Sequence, residues 1–373
     1  MTHFLEHLIF KRTSKLSPSD IARRIDIFGG DINAYTDTEE ISLYGKVPLE
    51  NLNNLLQLFA ELLSDCQFDD EDFQVEKDVI RQEIADAKDD PETVVFHRFS
   101  ELFWPGSSFG LPVFGYTESV SELSRAQVER RLAELFVGKR LVITVTGNIE
   151  HEEVLSEVEK HFSSVPAGEE ASTSLVATGD GRELLSADAE QAYLTLGIKC
   201  PTISDKQTYE AELLSSSLGE LMSSRLFQEL REKRGLAYEI GSSIESYPDT
   251  GCLLVQGSFE KNRALDALGI ISAELEKLSR ASIDEAELEL AKSHTLSRLS
   301  LEQDSLSSNL WRLQEGETVH GRYISAEEDK NNVSRINLDD ISAYVETWLK
   351  DSSMVVVLGG QVSEIELTDF FQI

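Results

Sequence analysis

Apolar residues recur at helical spacing in some segments of this chain and at strand spacing in others. Residues 49–63 carry leucine and phenylalanine three or four positions apart, which predicts an amphipathic helix. Residues 70–87 are strongly charged but keep an apolar stripe, which predicts a second helix. That stripe consists of Val75, Val79, Ile80 and Ile84. Residues 31–47 and 192–198 have the pattern of β-strands instead.

Each half of the chain closes with a short apolar run that is followed by glycine. The first run, RLVITVT at 140–146, and the second, MVVVL at 354–358, each predict a short buried strand. Residues 164–182 have the weakest hydrophobic pattern of the chain, which indicates a linker. The sequence therefore predicts a duplicated α+β unit. The predicted limits are a first domain over 1–165, a linker over 166–184 and a second domain over 185–373.

The chain of 373 residues is strongly acidic, with 68 acidic and 34 basic residues and a formal net charge of −34. Binding to nucleic acid needs a basic surface, so this class of partner is excluded. A negative cleft would attract basic peptides. The alternative is that the acidic residues only solvate the surface.

The sequence also limits the cellular setting. No apolar run is long enough to span a membrane, and the first residues lack the pattern of a secretory signal. The cysteines are Cys66, Cys200 and Cys252, an odd number at wide spacing. This favours a reducing compartment, and we expect the cytoplasm.

Two histidines and a glutamate stand together in the segment HFLEH. On a helix, His3 and His7 project from one face, one turn apart, and two imidazoles at this separation can share a zinc ion. Glu6 borders the same face and can reach a metal-bound water without binding the metal, which suits a catalytic base. The alternative is a polar helix face with two unrelated histidines.

A catalytic zinc ion needs a third protein ligand and an open position for water. The charged helix offers Glu76 and Glu83, which are seven positions apart and therefore share a face. Spacing alone leaves open which of them binds the metal and which orients a histidine or the water. The remaining histidines have no paired spacing and receive no role: His97, His151, His161, His294 and His320.

These residues resemble the M16 metallopeptidases, the pitrilysin-like group. HFLEHLIFKRT is similar to the zinc helix of that family, whose third ligand is a glutamate about 76 positions beyond the second histidine, where Glu83 stands. The resemblance makes Glu83 a ligand of one zinc ion per chain, and Glu76 a supporting catalytic residue beside it. Residues 29–40 resemble the family's edge strand, in which the backbone of Asn33 and Ala34 would pair with an extended substrate.

The segment RLFQELREKRGLAY, residues 225–238, is similar to the family's signature in its second domain. By this resemblance, Arg231 and Tyr238 contact the scissile region of the substrate and stabilise the tetrahedral intermediate. From the residues alone, a surface salt bridge for Arg231 and a place in a strand core for Tyr238 are favoured.

The resemblance implies two homologous α/β-roll domains, each a mainly antiparallel sheet packed with helices. It implies a zinc-dependent endopeptidase that cleaves unfolded peptides or short polypeptides inside a dimeric chamber, as a homodimer or with a related chain. Family members usually have several dozen residues before the zinc helix, whereas the motif here begins at His3. If those first strands are lacking, we expect an exposed sheet edge. The alternatives are a non-catalytic partner subunit and a peptide-binding module.

Overall fold

The computed structural model describes residues 1–171, 176–186, 189–350, 352–361, 367 and 370–371. Its helices in chain order are α1 (Thr2–Ile9), α2 (Pro18–Phe28), α3 (Leu52–Ser64), α4 (Asp70–Asp89), α5 (Pro91–Phe103), α6 (Thr117–Glu122), α7 (Arg125–Leu135), α8 (His151–Phe162), α9 (Thr208–Ser215), α10 (Ala264–Ala281), α11 (Glu285–Glu302), α12 (Leu306–His320), α13 (Ala326–Arg335) and α14 (Leu338–Tyr344). Its strands are β1 (Asp31–Thr36), β2 (Ile41–Lys46), β3 (Gly181–Leu185), β4 (Gln191–Lys199), β5 (Ala237–Ser246), β6 (Gly251–Glu260) and β7 (Met354–Gly359).

The chain divides into two compact units. The first comprises Met1–Ala87 and Pro112–Ser172, and the second comprises Lys88–Leu111 and Thr173–Ile373. Helix α5 packs on β4 and β7 of the second unit, although its sequence follows directly on α4. The periodicity of a helix does not reveal which sheet it will cover. The domain limits inferred from the sequence stay a prediction.

Helix α1 of the first unit is fixed by its apolar face. Phe4, Leu5, Leu8 and Ile9 are almost fully buried in one cluster with side chains of α2, α3 and α4. These positions recur at helical spacing, so the polar residues between them must project from the other side. His3, Glu6 and His7 are accordingly only partly buried. Burial of one face of α1 thus presents the other face as a polar site.

Helix α4 buries only half of the apolar stripe that the sequence predicts. Ile80 and Ile84 are buried, as expected, but Val75 is 52% exposed and Val79 is 40% exposed. The stripe inferred from the sequence was therefore wrong at these two valines. Val79 and Val75 lie four and eight positions before Glu83, on a helix face next to the buried one. The core takes Phe73 instead.

The segment RLVITVT at 140–146, predicted as a short buried strand, forms no strand. Its side chains are partly exposed, and Val142 is 39% exposed. A strand exists only where a neighbouring strand receives its backbone hydrogen bonds. Strands β1 and β2 form a two-stranded antiparallel sheet that does not extend to this segment. The strand propensity of LVITVT is therefore not realised.

The second unit contains a five-stranded sheet in the order β3-β7-β4-β6-β5. Its pairs are antiparallel except for β3 with β7. Both faces of β7 are covered, since Val355 and Val357 pack with α5 whereas Val356 and Leu358 face the larger cluster. Burial on both faces explains the uninterrupted apolar run that the sequence shows here. The α+β class predicted from the sequence is confirmed.

Two further findings concern the described part of the chain. No helix in it is long and apolar enough to cross a membrane. Cys66, Cys200 and Cys252 are all free thiols.

Candidate metal centre

His3 and His7 lie side by side on the polar face of α1. Their ring centroids are 4.7 Å apart, and the ring planes are inclined at 70°. Glu83 of α4 reaches the same point, with carboxylate oxygens 3.9 Å from Nε2 of His3 and 3.7 Å from Nε2 of His7. Two elements distant in sequence thus bring two imidazoles and one carboxylate together.

The three side chains fit a zinc ion. One ligand atom from each can be chosen so that all lie within 4.8 Å of one another. Zinc–ligand distances near 2.1 Å in a tetrahedral site place ligand atoms about 3.4 Å apart, so small side-chain rotations would close the site. Two histidines and one glutamate are also a donor set of catalytic zinc sites, which keep one position for water. Within the described residues, no other group of three or more such side chains converges in this way.

Glu76 lies behind His7 and fixes its orientation. Its Oε2 is 2.9 Å from Nδ1 of His7, and its Oε1 is 2.6 Å from Nζ of Lys11. An ionised carboxylate can only accept hydrogen bonds, so Nδ1 of His7 is the donor and Nε2 remains for a metal. Glu76 is only 3% exposed, and both of its oxygens have partners.

Hydrogen bonds, burial and neighbouring charges shift the pKa values of His7, Glu76 and His3. The hydrogen bond to Glu76 raises the pKa of His7, which outweighs the opposing effect of burial. Burial raises the pKa of Glu76, but hydrogen bonds from His7 and Lys11 outweigh it and leave that pKa below its ordinary value. Burial, followed by the neighbouring His7, lowers the pKa of His3 to about 4. His3 is therefore neutral at neutral pH and keeps a lone pair for a metal.

The anchoring of the two histidines is unequal. His7 has Glu76, whereas the buried Nδ1 of His3 has no hydrogen-bond partner among the described residues. A ligating histidine ordinarily donates its second ring nitrogen to a nearby acceptor. Among the described residues, then, packing rather than a hydrogen bond to Nδ1 orients the ring of His3.

Glu6 is held by a residue of β1. The hydroxyl of Thr36 donates a hydrogen bond to Oε2 of Glu6, with 2.5 Å between the oxygens. Both residues are partly buried. Glu6 precedes His7 directly and shares the polar face of α1, so its carboxylate is held beside the metal ligands and is not one of them. A general base needs this placement, within reach of a water that the metal would bind.

Asn33 and Ala34 lie in the middle of β1, opposite Tyr44 and Leu43 of β2. In the described sheet, β1 has β2 as its single neighbour. The amide of Ala34 donates to Oδ1 of Asn33 at 2.9 Å. A peptide added along β1 would have to replace that local hydrogen bond. The substrate role of these two residues stays a prediction.

Arg231 and Tyr238 lie in the second unit, and both side chains are exposed. Arg231 belongs to a π-helical segment, Phe227–Glu232, and its guanidinium lies 4.9 Å from the ring centroid of Phe227. Among the described residues it forms no ion pair, so the surface salt bridge is not seen. Tyr238 is 78% exposed rather than part of a strand core. The pairing of β5 with β6 shifts register between Ala237 and Glu239, and such a bulge turns a side chain out of the alternation.

Sequence comparison decides the family. Residues 1–116 match the family described as Insulinase (Peptidase family M16), and residues 122–294 match the one described as Peptidase M16 inactive domain. The chain is 32% identical over 368 residues to an uncharacterized zinc protease of Mycobacterium leprae, covering 97% of this chain and 83% of that one. It is 33% identical over 360 residues to the uncharacterized zinc protease YmxG of Bacillus subtilis, covering 96% and 88%. The chain belongs to peptidase family M16.

Solved structures share the M16 fold of this chain. A protease from Helicobacter pylori superposes with a TM-score of 0.88 at 24% identity, covering 96% of this chain and 88% of that one. A peptidase M16 inactive domain from Pseudomonas fluorescens gives a TM-score of 0.89 at 16% identity, covering 97% and 88%. At these identities the likeness concerns the fold, and it confirms the two-domain α+β architecture.

Two residues of this M16 site were not predicted from the sequence, Lys11 and Thr36. Lys11 follows His7 by one helical turn, so its spacing was a usable signal, although α1 ends at Ile9. Thr36 stands two positions beyond Ala34, on the same face of a strand. Neither spacing indicates that the residue reaches a carboxylate, because both contacts are formed between separate elements.

Proposed function

We propose that this chain is a zinc-dependent endopeptidase that cleaves unfolded peptides or short polypeptides. The observation that carries the proposal is the convergence of His3, His7 and Glu83 from two elements, with Glu6 beside them. These residues fall within residues 1–116, whereas the match to an M16 inactive domain covers residues 122–294. The relatives named zinc proteases support the same metal and the same class of reaction.

His3, His7 and Glu83 would hold one zinc ion per chain. Bound there, zinc supplies Lewis acidity, which makes a water more acidic and a peptide carbonyl more electrophilic. Glu6 takes the proton of the attacking water and returns it to the leaving amine. Glu76 keeps Nε2 of His7 directed to the metal by accepting the hydrogen bond from Nδ1.

The substrate would be an extended segment. Strand β1 has one neighbour in the described sheet, so the backbone of Asn33 and Ala34 can pair with a peptide strand. Arg231 and Tyr238 are exposed donors of the second unit, and Arg231 forms no ion pair with the described residues, so both side chains can meet a substrate. We assign them to the oxyanion of the tetrahedral intermediate, supplied by the opposite protomer of a dimer that encloses the substrate. The partner is a second copy of this chain or a related chain.

Cleavage of a long quenched-fluorescence peptide in the presence of zinc tests the proposal. The matched variant is Glu6→Gln, which removes the base but leaves His3, His7 and Glu83 in place. Loss of the base should reduce kcat by about 10²–10⁴-fold, with zinc content unchanged. Equal cleavage by both chains would show that the activity is not from this site. Absent cleavage by both, with zinc bound, would favour a non-catalytic subunit or a peptide-binding module.

The opposite-protomer arrangement has its own test. A Glu6→Gln chain is mixed with a Tyr238→Phe chain, each inactive or weak alone. If Tyr238 acts across the dimer, heterodimers contain one site with both native residues, and activity rises on mixing. If Tyr238 acts within its own chain, each site of the heterodimer keeps one defect and mixing restores nothing.

A further inference from the structure

Lys11 is a charged residue at the edge of the candidate metal centre for which the proposed reaction has no use. It lies just beyond the end of α1 and is about one-third exposed. Its Nζ is 2.6 Å from Oε1 of Glu76, while the other oxygen of that carboxylate is 2.9 Å from Nδ1 of His7. One buried carboxylate therefore joins a lysine to a candidate zinc ligand.

Glu76 cannot be held by His7 alone. Its side chain is 4% exposed, so water cannot satisfy the oxygen that faces Lys11. A buried carboxylate with one oxygen unpaired is strongly unfavourable and turns toward any available donor. Such a rotation would remove Oε2 from His7, because both oxygens belong to one rigid group. By holding Oε1, Lys11 therefore also keeps Oε2 against Nδ1 of His7.

We infer that Lys11 is a positioning residue of the metal centre, which acts through Glu76 to keep His7 directed at zinc. This inference rests on the proposed zinc site. The direction in which removal of Lys11 changes zinc affinity separates this role from a simple charge effect. The positive charge of Lys11 by itself repels a zinc ion, so its removal would tighten zinc binding if charge alone mattered. The positioning role requires the opposite, that its removal weakens zinc binding.

The test is the zinc affinity of the full chain, measured by competition with a chromophoric chelator. Groups that orient a zinc-bound histidine typically contribute 10–100-fold in metal affinity, and Lys11→Met should weaken binding by about tenfold. Lys15→Met is the matched control. It removes the same charge four positions later, from an exposed side chain that forms no ion pair with described residues, and its affinity should equal that of the unchanged chain.

A double-mutant cycle shows whether Lys11 acts through Glu76. In a Glu76→Gln background, Lys11→Met should have little further effect on zinc affinity, whereas independent roles would give additive losses. The absorption spectrum of the cobalt-substituted chain gives a second measurement, since a reoriented His7 alters the ligand field. Unfolding of the metal-free chains in urea identifies any variant that is simply misfolded.

The outcomes separate this inference from the proposed function. Unchanged or tighter zinc binding by a folded Lys11→Met chain would overturn the role of Lys11, whatever the chain cleaves. Zinc binding without cleavage by the unchanged chain would overturn the peptidase proposal and leave the role of Lys11 standing. A folded, unchanged chain that binds no zinc would overturn both.

Discussion

Thr36 provides a direct way to weaken the proposed base without removing it. Its hydroxyl donates to Oε2 of Glu6 across 2.5 Å, and Thr36 pairs with Ile41 of β2 through the backbone. Thr36→Val keeps the shape of the side chain and its preference for a strand, so β1 should remain paired with β2. The substitution removes one hydrogen bond to a carboxylate and nothing else from the site.

The size of the effect follows from that single contact. A hydrogen bond to a charged group contributes about 1.5–3 kcal/mol. Thr36 and Glu6 are both partly exposed, so water can replace some of it, and we take the lower end. Because 1.4 kcal/mol corresponds to a factor of ten, kcat should fall by about tenfold. This is less than the ~10²–10⁴-fold loss expected when the base itself is removed.

The assay combines peptide cleavage with zinc affinity. For Thr36→Val we expect a lower kcat with KM and zinc affinity unchanged, because Glu6 binds neither zinc nor the rest of the substrate. Thr36→Ser, which keeps a hydroxyl, should retain most of the activity. An unchanged kcat in Thr36→Val would refute the argument that this hydrogen bond positions the base. A loss of zinc would show instead that Thr36 supports the metal ligands.

Three further predictions concern pH and packing. A hydrogen bond to the buried carboxylate of Glu76 raises the pKa of His7, so a proton competes with zinc for this side chain. The zinc affinity measured by chelator titration should therefore be lower near pH 6 than near pH 8. Equal zinc affinities at the two pH values would exclude His7 as a ligand. Burial raises the pKa of Glu212 from 4.5 to about 7, so the folded chain keeps a proton that the unfolded chain loses, and stability falls as pH rises through that window. Glu212→Gln should therefore stabilise the chain by about 3 kcal/mol near pH 8 and by little near pH 4, as urea unfolding would measure. The same gain at both pH values would contradict this prediction. In Gly197→Ala the added Cβ would lie 2.4 Å from Cζ of Phe99, and the substitution should cost about 1–3 kcal/mol of stability in urea unfolding. Gly241→Ala is the control: its Cβ would have its nearest contact at 3.9 Å, so its loss of stability should be much smaller.

Local periodicity was sufficient to predict α1 and α4 as helices, because a helix places residues three and four positions apart on one face, but it assigned Val75 and Val79 of α4 to the buried face wrongly. The pair His3 and His7 could be placed on one face of α1 by the same spacing. Glu83 needed the family spacing, since helical geometry alone did not separate it from Glu76. The failures have a tertiary cause. LVITVT has the composition of a strand, but pairing depends on a neighbour that its own sequence does not specify.

Glu76 departs from the pattern expected of a buried helix face. It occupies the buried face of α4 together with Ile80 and Ile84, where an apolar side chain would be the ordinary choice. A carboxylate there is unfavourable unless both oxygens are paired, and they are, by His7 and Lys11. Apolar residues in place of Glu76, His7 and Lys11 could fill the same space, so fold stability does not explain this hydrogen-bonded group. The hydrogen bond between Nδ1 of His7 and Glu76 does, which is why we assign the buried carboxylate to the proposed metal centre rather than to the core.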